Sequence, residues 1–159
     1  MQGRLVMCGI SGIYNPSLKK INQIEIINKI LKVQKLRGPD NCGVWNSKCG
    51  KVTFGHNRLS IIDLTENANQ PFVSNDKRIV ITFNGEIYNF QEIRQQLLKK
   101  NIKFKSNSDT EIIVEAYKYW GLDFVNYFRG MYSFVIWDTL KNELVLARDP
   151  FGIKPLYYT

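Results

Sequence analysis

The sequence is poor in the residues that build disulfide frameworks and metal sites, with three cysteines and one histidine among its 159 residues. An odd number of cysteines argues against a disulfide framework and is typical of a reducing compartment. Cys42, Cys49 and His56 follow one another at intervals of seven residues. Structural zinc needs close cysteine pairs and a fourth ligand. We therefore expect no metal site, with Cys42 and Cys49 as reduced thiols.

Long apolar runs and acidic residues are also scarce. No stretch approaches the ~20 apolar residues that cross a bilayer, and the first residues contain no apolar block of signal-peptide length. The 14 acidic residues are outnumbered by 22 lysines and arginines, which gives a net charge of +8. The basic residues are scattered, without the aromatic interleaving of a nucleic-acid platform. These absences predict a cytoplasmic protein with no membrane partner and no nucleic-acid partner.

What is present indicates one domain in which strands outnumber helices. A glycine-punctuated segment at 8–14 predicts a first strand. Apolar residues at Ile24, Ile27 and Leu31 then predict an amphipathic helix that ends before Gly38. The run 79–83 has the β-branched composition of a buried strand.

Three further helical segments, the last of them at 122–128, and three further strands are expected in the second half of the sequence. Asn89, with Glu92 three residues later, predicts a helix start of the capping-box kind, and Ser108 or Asp109 predicts the start of another helix. Two strands joined by a polar turn follow over 130–148, and a last strand is expected at 154–158.

Three positions suggest chemistry, although each also has a structural interpretation. Cys8 is a candidate nucleophile, but a buried cysteine is usually inert. Asn84 and Gly85 offer a side-chain amide and a backbone amide, which is the composition of an oxyanion hole, but Asn-Gly is also a common turn dipeptide. From local sequence alone the structural interpretations are favoured.

Two charged residues complete the candidate set. Arg58 precedes an apolar run, and Asp109 lies at a predicted helix start. A pocket for a free amino acid needs a fixed cation for the carboxylate and a fixed anion for the ammonium. The alternatives are a surface charge at the end of a strand for Arg58 and a helix N-cap for Asp109.

Taken together, these residues lie within motifs that resemble the class II glutamine amidotransferase domain, a branch of the N-terminal nucleophile hydrolases. Within that class the chain looks most like the amino-terminal part of glutamine-hydrolysing asparagine synthetases. Two departures are Leu36, where the family commonly has histidine before RGPD, and Asn69, where the family has glycine before Gln-Pro. The matching blocks are collinear and are MCGI at 7–10, RGPD at 37–40, GHNRLSIIDL at 55–64, QP at 70–71, FNGEIYNF at 83–90, SDTE at 108–111, GMYSFVIWD at 130–138 and RDPFGIKPLYY at 148–158.

The resemblance implies an α+β fold, a four-layer αββα sandwich of two antiparallel sheets, truncated at its carboxyl end. Residues 1–7 would be an extension or a misassigned start, and 8–159 an incomplete amidotransferase domain. It also implies a role for each matched site residue. The catalytic residues would be Cys8, Asn84 and Gly85, and the glutamine-binding residues Arg58, Leu59, Ser60, Ile61, Ile62, Asn84, Gly85, Glu86 and Asp109.

The implied activity is hydrolysis of glutamine through a cysteine thioester. The released ammonia would serve a synthetase domain, absent or separate, that uses ATP and Mg²⁺ to amidate aspartate. The chain itself would need no cofactor, and it contains no SGGxDS motif for ATP. A homodimer is a further expectation. The alternatives are a class II amidotransferase that serves an amino-sugar, phosphoribosyl or other acceptor, and an inactive interaction module.

The position of Cys8 raises a specific question, because in this family the base is the free α-amine of the nucleophile itself. With residues 1–7 attached, that nitrogen is an amide. Three interpretations follow. Translation begins at Met7, which is then removed; or residues 1–7 are a short propeptide; or the segment stays and the domain is inactive. The otherwise complete set of site residues favours the first.

Overall fold

The fold was analysed in a computed structural model, which describes residues 7–59 and 68–159. In these ranges no helix is both long and apolar enough to cross a membrane. The elements are β1 (Gly9–Tyr14), α1 (Lys20–Gln34), β2 (Asn41–Asn46), β3 (Val52–Arg58), β4 (Phe72–Val73), β5 (Ile79–Ile87), α2 (Phe90–Leu98), α3 (Asp109–Trp120), a 3-10 helix (Gly121–Tyr127), β6 (Gly130–Asp138) and β7 (Glu143–Arg148).

The strands form two antiparallel sheets. The first has the order β1-β3-β2 and the second the order β4-β5-β6-β7. The register of the longest pair aligns Asn84 with Ser133 and Gly85 with Tyr132. The helices lie on opposite sides, since α1 contacts the first sheet and α3 contacts β5 of the second, with α2 packed on α3. This confirms the expected αββα sandwich.

Two apolar clusters hold the layers together. The smaller one lies between the sheets and consists of Val52, Phe54, Val80 and Trp137. The larger one fills the space between the second sheet and its helices. Its helical members include Ile93, Leu97, and the residues 112–114 of α3. Burial of this apolar surface is the main favourable contribution to folding.

Close approach of α1 to the first sheet depends on glycines. A Cβ at Gly55 would lie 2.6 Å from Ile27 Cγ2, and a Cβ at Gly9 would lie 2.8 Å from Gln34 Oε1. Ile27 and Leu31 are buried as the apolar stripe predicts. Because α1 ends at Gln34, its last turn packs directly beside the start of β1.

Three local expectations are wrong. Asn84 and Gly85 do not form a turn: they lie inside β5, which continues to Ile87 because β6 pairs with it along its full length. Residues 154–158 form no strand.

The capping box at Asn89 is also absent. The helix begins at Phe90 as expected, but the Asn89 side chain makes no capping hydrogen bond. Its Oδ1 accepts from the amide of Arg129 at 2.9 Å, and Glu92 binds the Arg129 guanidinium instead of reaching back. Tertiary partners on the segment before β6 therefore replace the local cap.

Candidate active site

A cavity of about 510 Å³ opens where the edges of both sheets meet the start of α3. Cavities of this size hold small organic ligands. Its walls come from distant parts of the sequence, and they include most of the predicted site residues. The lining residues are Met7, Cys8, Arg58, Leu59, Ala68, Gln70, Phe83, Asn84, Gly85, Glu86, Ser108, Asp109, Thr110, Met131, Ile153 and Lys154.

Cys8 lies immediately before β1, at one end of the cavity. Its Sγ accepts a hydrogen bond from the amide of Leu59 at 3.3 Å and lies 3.7 Å from the Leu59 carbonyl oxygen. Burial raises the pKa of the Cys8 thiol above its usual range, and the negative charge of Asp109 adds to that effect. The Leu59 amide and the positive charge of Arg58 oppose it. The thiol therefore needs a base to become nucleophilic at neutral pH.

Asn84 and Gly85 face the cavity from within β5. Among the described residues, the Asn84 side-chain amide has no hydrogen-bond partner, so it is available to a ligand. Gly85 has a φ of 154°, and a Cβ there would lie 2.2 Å from the carbonyl oxygen of Met131. Only glycine fits this close strand pair, which explains why Asn-Gly occurs inside a strand.

Arg58 is the last residue of β3, and its side chain is buried at the cavity wall. Its Nη1 donates to Oδ1 of Asn69 at 2.7 Å. Asn69 is one of the residues that depart from the family pattern, and this departure contacts the site directly. An arginine held in this way presents a guanidinium of fixed direction to a carboxylate.

Asp109 is the first residue of α3 and is 5% exposed. Ser108, not Asp109, caps the helix, because its side chain accepts from the amide of Glu111. The Asp109 Oδ2 accepts instead from the amide of Ile87 at 3.1 Å. Burial raises the pKa of Asp109 to about 6, against the lowering effect of backbone hydrogen bonds. At neutral pH it is an anion at the cavity wall, suited to an ammonium group.

Leu59 and Glu86 also line the cavity, as the resemblance implies. The other predicted contacts, Ser60, Ile61 and Ile62, lie outside the described residues, as do residues 1–6. Cys42 and Cys49 are exposed, whereas His56 is fully buried between the sheets. The three residues considered for zinc thus differ sharply in environment, and among the described residues no group of three or more potential ligands is close enough to hold a metal.

The sequence analysis missed a hydrogen-bond network behind the cavity. Gln70 Oε1 accepts from the amide of Phe83 at 2.6 Å, and its Nε2 donates to Oγ1 of Thr110 at 3.3 Å. His56 Nε2 lies 3.1 Å from the Phe83 carbonyl oxygen. Burial lowers the pKa of His56 to about 4, so the ring is neutral and Nε2 must carry the proton that it donates.

This network fixes both backbone groups of Phe83, the residue before Asn84. It also joins β5 to the first turn of α3, where Asp109 lies. Gln70 was visible only as part of the Gln-Pro motif, and nothing in the local sequence connects it to Phe83 or Thr110. Such a pairing is created by the tertiary fold.

Lys154 was also missed as a site residue. It lines the cavity and is 4% exposed. A turn after β7 places it there, built around the carboxylate of Asp149, which accepts from the amides of Tyr132, Phe151, Ile153 and Lys154. Burial alone would raise the pKa of Asp149, but these amides outweigh it and lower the pKa.

Comparisons with known proteins identify the family of the chain. Residues 7–159 match the glutamine amidotransferase domain family. The chain is 43% identical over 155 residues to asparagine synthetase [glutamine-hydrolyzing] 1 of Bacillus subtilis, covering 96% of this chain and 24% of that protein. It is 40% identical over 164 residues to amidase chry2 of Gibberella zeae, with the same coverage of 96% and 24%. The chain thus spans about a quarter of the length of these relatives.

The fold also matches a solved structure. Glutamine phosphoribosylpyrophosphate amidotransferase from B. subtilis, in complex with ADP and GMP, superposes with a TM-score of 0.69 at 21% identity, covering 92% of this chain and 38% of that one. At this identity the match establishes the fold. Together with the match over nearly the whole chain, it leads to one assignment: the chain belongs to the class II glutamine amidotransferase domain family.

Proposed function

We propose that this domain hydrolyses glutamine to glutamate and ammonia through a γ-glutamyl thioester on Cys8. The observation that carries the proposal is the cavity itself. The Cys8 thiol, the buried Arg58 cation, the buried Asp109 anion and the Asn84 side-chain amide line the same cavity, although they come from four separate segments. This is the set of groups that recognition and cleavage of an amino-acid carboxamide require.

Substrate binding uses the two charges. Arg58 binds the α-carboxylate of glutamine and Asp109 binds its α-ammonium, so that the side-chain amide reaches toward Cys8. Leu59 and Glu86 form the adjoining walls. The family resemblance adds the backbone of Ser60, Ile61 and Ile62 to the glutamine-binding residues.

The chemical steps balance without any cofactor. The α-amine of an amino-terminal Cys8 takes the thiol proton as Sγ attacks the amide carbon. Asn84 Nδ2 and the amide of Gly85 donate to the oxygen on which negative charge develops. The ammonium then protonates the departing nitrogen, which leaves as ammonia. Water, activated by the same amine, hydrolyses the thioester to glutamate.

This mechanism requires Cys8 to begin the mature chain. We propose that residues 1–7 are absent from the active protein, because translation starts at Met7 or because the segment is cleaved. If the peptide bond between Met7 and Cys8 persists, the amine base does not exist and the domain is an interaction module.

The test combines the amino-terminal residue with the activity. Mass spectrometry of the purified protein is expected to show Cys8 as the first residue, and incubation with glutamine to yield glutamate and ammonia. Cys8→Ala should abolish turnover, whereas Cys42→Ala, which changes an exposed thiol, should not. A protein that begins at Cys8 and forms no glutamate contradicts the proposal.

We further propose that the ammonia is used to make asparagine, by ATP-dependent amidation of aspartate in a synthetase domain. The supporting observation is the identity of 43% with an asparagine synthetase over 96% of this chain. The coding sequence after Thr159 is then expected to encode an SGGxDS motif. A phosphoribosyl- or sugar-binding domain there would assign the ammonia to another acceptor.

A further inference from the structure

Lys154 is a buried lysine for which the proposed mechanism has no use. Its side chain is almost fully enclosed, and Nζ lies 2.6 Å from Sδ of Met7, the residue that precedes the nucleophile. In the part of the chain that the structure describes, no carboxylate forms an ion pair with it. Burying an unpaired ammonium is costly, and such groups are commonly functional.

A second cation lies beside the same two residues, Met7 and Cys8. Nε of Arg37 donates to the carbonyl oxygen of Cys8 at 3.4 Å. The two positive charges are close enough to interact: after burial, Arg37 is the strongest influence lowering the pKa of Lys154, and the Cys8 thiolate opposes that lowering. Arg37 and Lys154 therefore lie on either side of the Met7–Cys8 segment, one at the Cys8 carbonyl oxygen and the other at the Met7 side chain.

The other charged groups around Cys8 do not cancel this pair. Arg58, at the end of β3, and Asp109, at the start of α3, act on Cys8 with opposite charges, and the effect of Arg58 on the Cys8 thiol is the larger of the two. Two carboxylates among the described residues act on Lys154: Asp149, in the turn after β7, and Glu86, on β5. The effect of each on the pKa of Lys154 is smaller than that of Arg37.

We propose that Lys154, together with Arg37, keeps the α-amine of an amino-terminal Cys8 unprotonated near neutral pH, and so prepares it to act as the base. This inference rests on the proposed function for its purpose, but not for its measurement. An ordinary α-amine has a pKa near 7.7 to 8.0 and is largely protonated at pH 7. Nearby positive charge disfavours the protonated amine and lowers its pKa.

The proposal makes Lys154 a positioning residue that acts through charge. Removing the charge but keeping the length, in Lys154→Met, should raise the pKa of the amine by about one unit, the effect of one nearby charge at moderate screening. Lys154→Arg keeps the charge and should leave it low. Lys29→Met removes an exposed lysine of α1 and is the matched control.

The pKa of the amine is measured directly, without glutamine. Chains that begin at Cys8, verified by mass spectrometry, first have their thiols blocked with methyl methanethiosulfonate, because an acetylated Cys8 thiol would pass its acetyl group to the adjacent amine. They are then treated briefly with acetic anhydride at pH 5 to 9, and acetylation of the amino-terminal peptide is quantified. In the unaltered protein the midpoint should lie below that of a Cys-Gly-Ile peptide blocked in the same way. In Lys154→Met it should rise by about one unit, giving about tenfold less labelling on the acidic side. The acid limb of kcat/KM for glutamine should shift equally.

The outcomes separate the two hypotheses. A midpoint in the unaltered protein equal to that of the peptide overturns the inference, even if every variant fails to fold. So does a Lys154→Arg protein that loses activity as fully as Lys154→Met, since arginine retains the charge and cannot act as a base. A shifted midpoint without glutamate formation supports the inference and contradicts the proposed function.

Discussion

At the scale of the single residue, the cavity depends on groups whose ordinary behaviour is altered by burial. Asp109 has a raised pKa, His56 a lowered one, and the Cys8 thiol a raised one, each chiefly because the charged form is poorly solvated. Such shifts cost stability, and they are retained where a group must meet a ligand. Activity and binding should therefore respond to single substitutions and to pH.

The first prediction concerns the oxyanion hole. Asn84→Ala removes a donor that is needed chiefly once charge develops on the amide oxygen. We expect kcat to fall by about 10² to 10³ while KM for glutamine changes little. Steady-state kinetics measures both, and Asn126→Ala, at an exposed position of the 3-10 helix, is the control. If kcat/KM falls by the same factor through a higher KM while kcat is unchanged, Asn84 acts in substrate binding and not in the oxyanion hole.

The second prediction concerns the pH dependence of binding. Because the pKa of Asp109 is about 6, the carboxylate is ionised at pH 7 and mostly protonated at pH 5. The Kd of glutamine for the Cys8→Ala protein should rise by about tenfold between these values. Isothermal calorimetry measures it without turnover. The Asp109→Asn protein should bind weakly at every pH, and an unaltered Kd across this range would contradict the ammonium-binding role.

At the scale of the element, the sequence correctly predicts those features of the helices that depend on local periodicity and on local capping residues. The buried face of α1 and the cap of α3 are local properties, and both are confirmed. The predicted capping box at Asn89 and the predicted strand at 154–158 are wrong because both segments bind partners that are distant in sequence or outside the segment. The Asn89 carboxamide oxygen accepts a hydrogen bond from the amide of Arg129, and the Asp149 carboxylate accepts from the amide of Lys154, which holds the last segment in a turn.

The third prediction tests the local cap. Ser108→Ala removes the hydrogen bond to the Glu111 amide and leaves that donor without a partner at the start of a buried helix. The free energy of unfolding should fall by about 1 kcal/mol, and by more if Asp109 moves with it. Urea denaturation followed by circular dichroism measures it. Ser17→Ala, at an exposed turn, should change stability much less. If both substitutions lower the free energy of unfolding equally, loss of the helix cap is not the cause.

The fourth prediction tests the turn that carries Lys154. Asp149→Ala leaves four backbone amides without their acceptor, and each buried donor left unsatisfied costs about 1 to 3 kcal/mol. We expect a protein that is several kcal/mol less stable, or one that does not fold alone. Asp123→Ala, at an exposed carboxylate, is the control. Thermal unfolding measures the change in stability. A small decrease in Tm for Asp149→Ala would show that other contacts hold the turn.

At the scale of the whole molecule, the site exists because two sheets and a helix start meet. Cys8 directly precedes β1 of the first sheet and Arg58 ends β3 of that sheet. Asn84 comes from the second sheet and Asp109 from α3, so no single segment of sequence contains the site. Spacing along the sequence therefore suggested each role only weakly, and the family motifs brought the residues together. The network through Gln70 and His56 had no such motif-level signal, because it consists of contacts between layers.

The fifth prediction follows from linkage between protonation and folding. The pKa of Asp109 is about 6 in the fold and close to 3.8 when unfolded, so the folded state binds the proton more tightly and Asp109 favours folding at low pH. This contribution is lost as pH rises through 6. Asp109→Asn should therefore be more stable than the unaltered protein at pH 7, by at most about 3 kcal/mol, with the difference vanishing near pH 4.

Urea unfolding of both proteins between pH 4 and pH 7 measures this difference. His56, whose lowered pKa makes the fold less stable below about pH 6.5, contributes equally to both and cancels. Asp123→Asn should show no such divergence. A substituted protein that is less stable at pH 7 would indicate that the buried carboxylate is stabilised by its hydrogen bonds more than it is penalised by burial.

The contact between Gly9 and Gln34 has a consequence for how relatives of this chain can vary. A Cβ on the residue after the nucleophile would lie 2.8 Å from Oε1 and 3.2 Å from Cβ of Gln34, so a side chain at position 9 requires the glutamine at the end of α1 to move. Gln34 also donates to the Ile10 carbonyl oxygen, at 3.5 Å. Positions 9 and 34 should accordingly covary, a bulkier residue at one being tolerated only with a smaller residue at the other, although they belong to different layers.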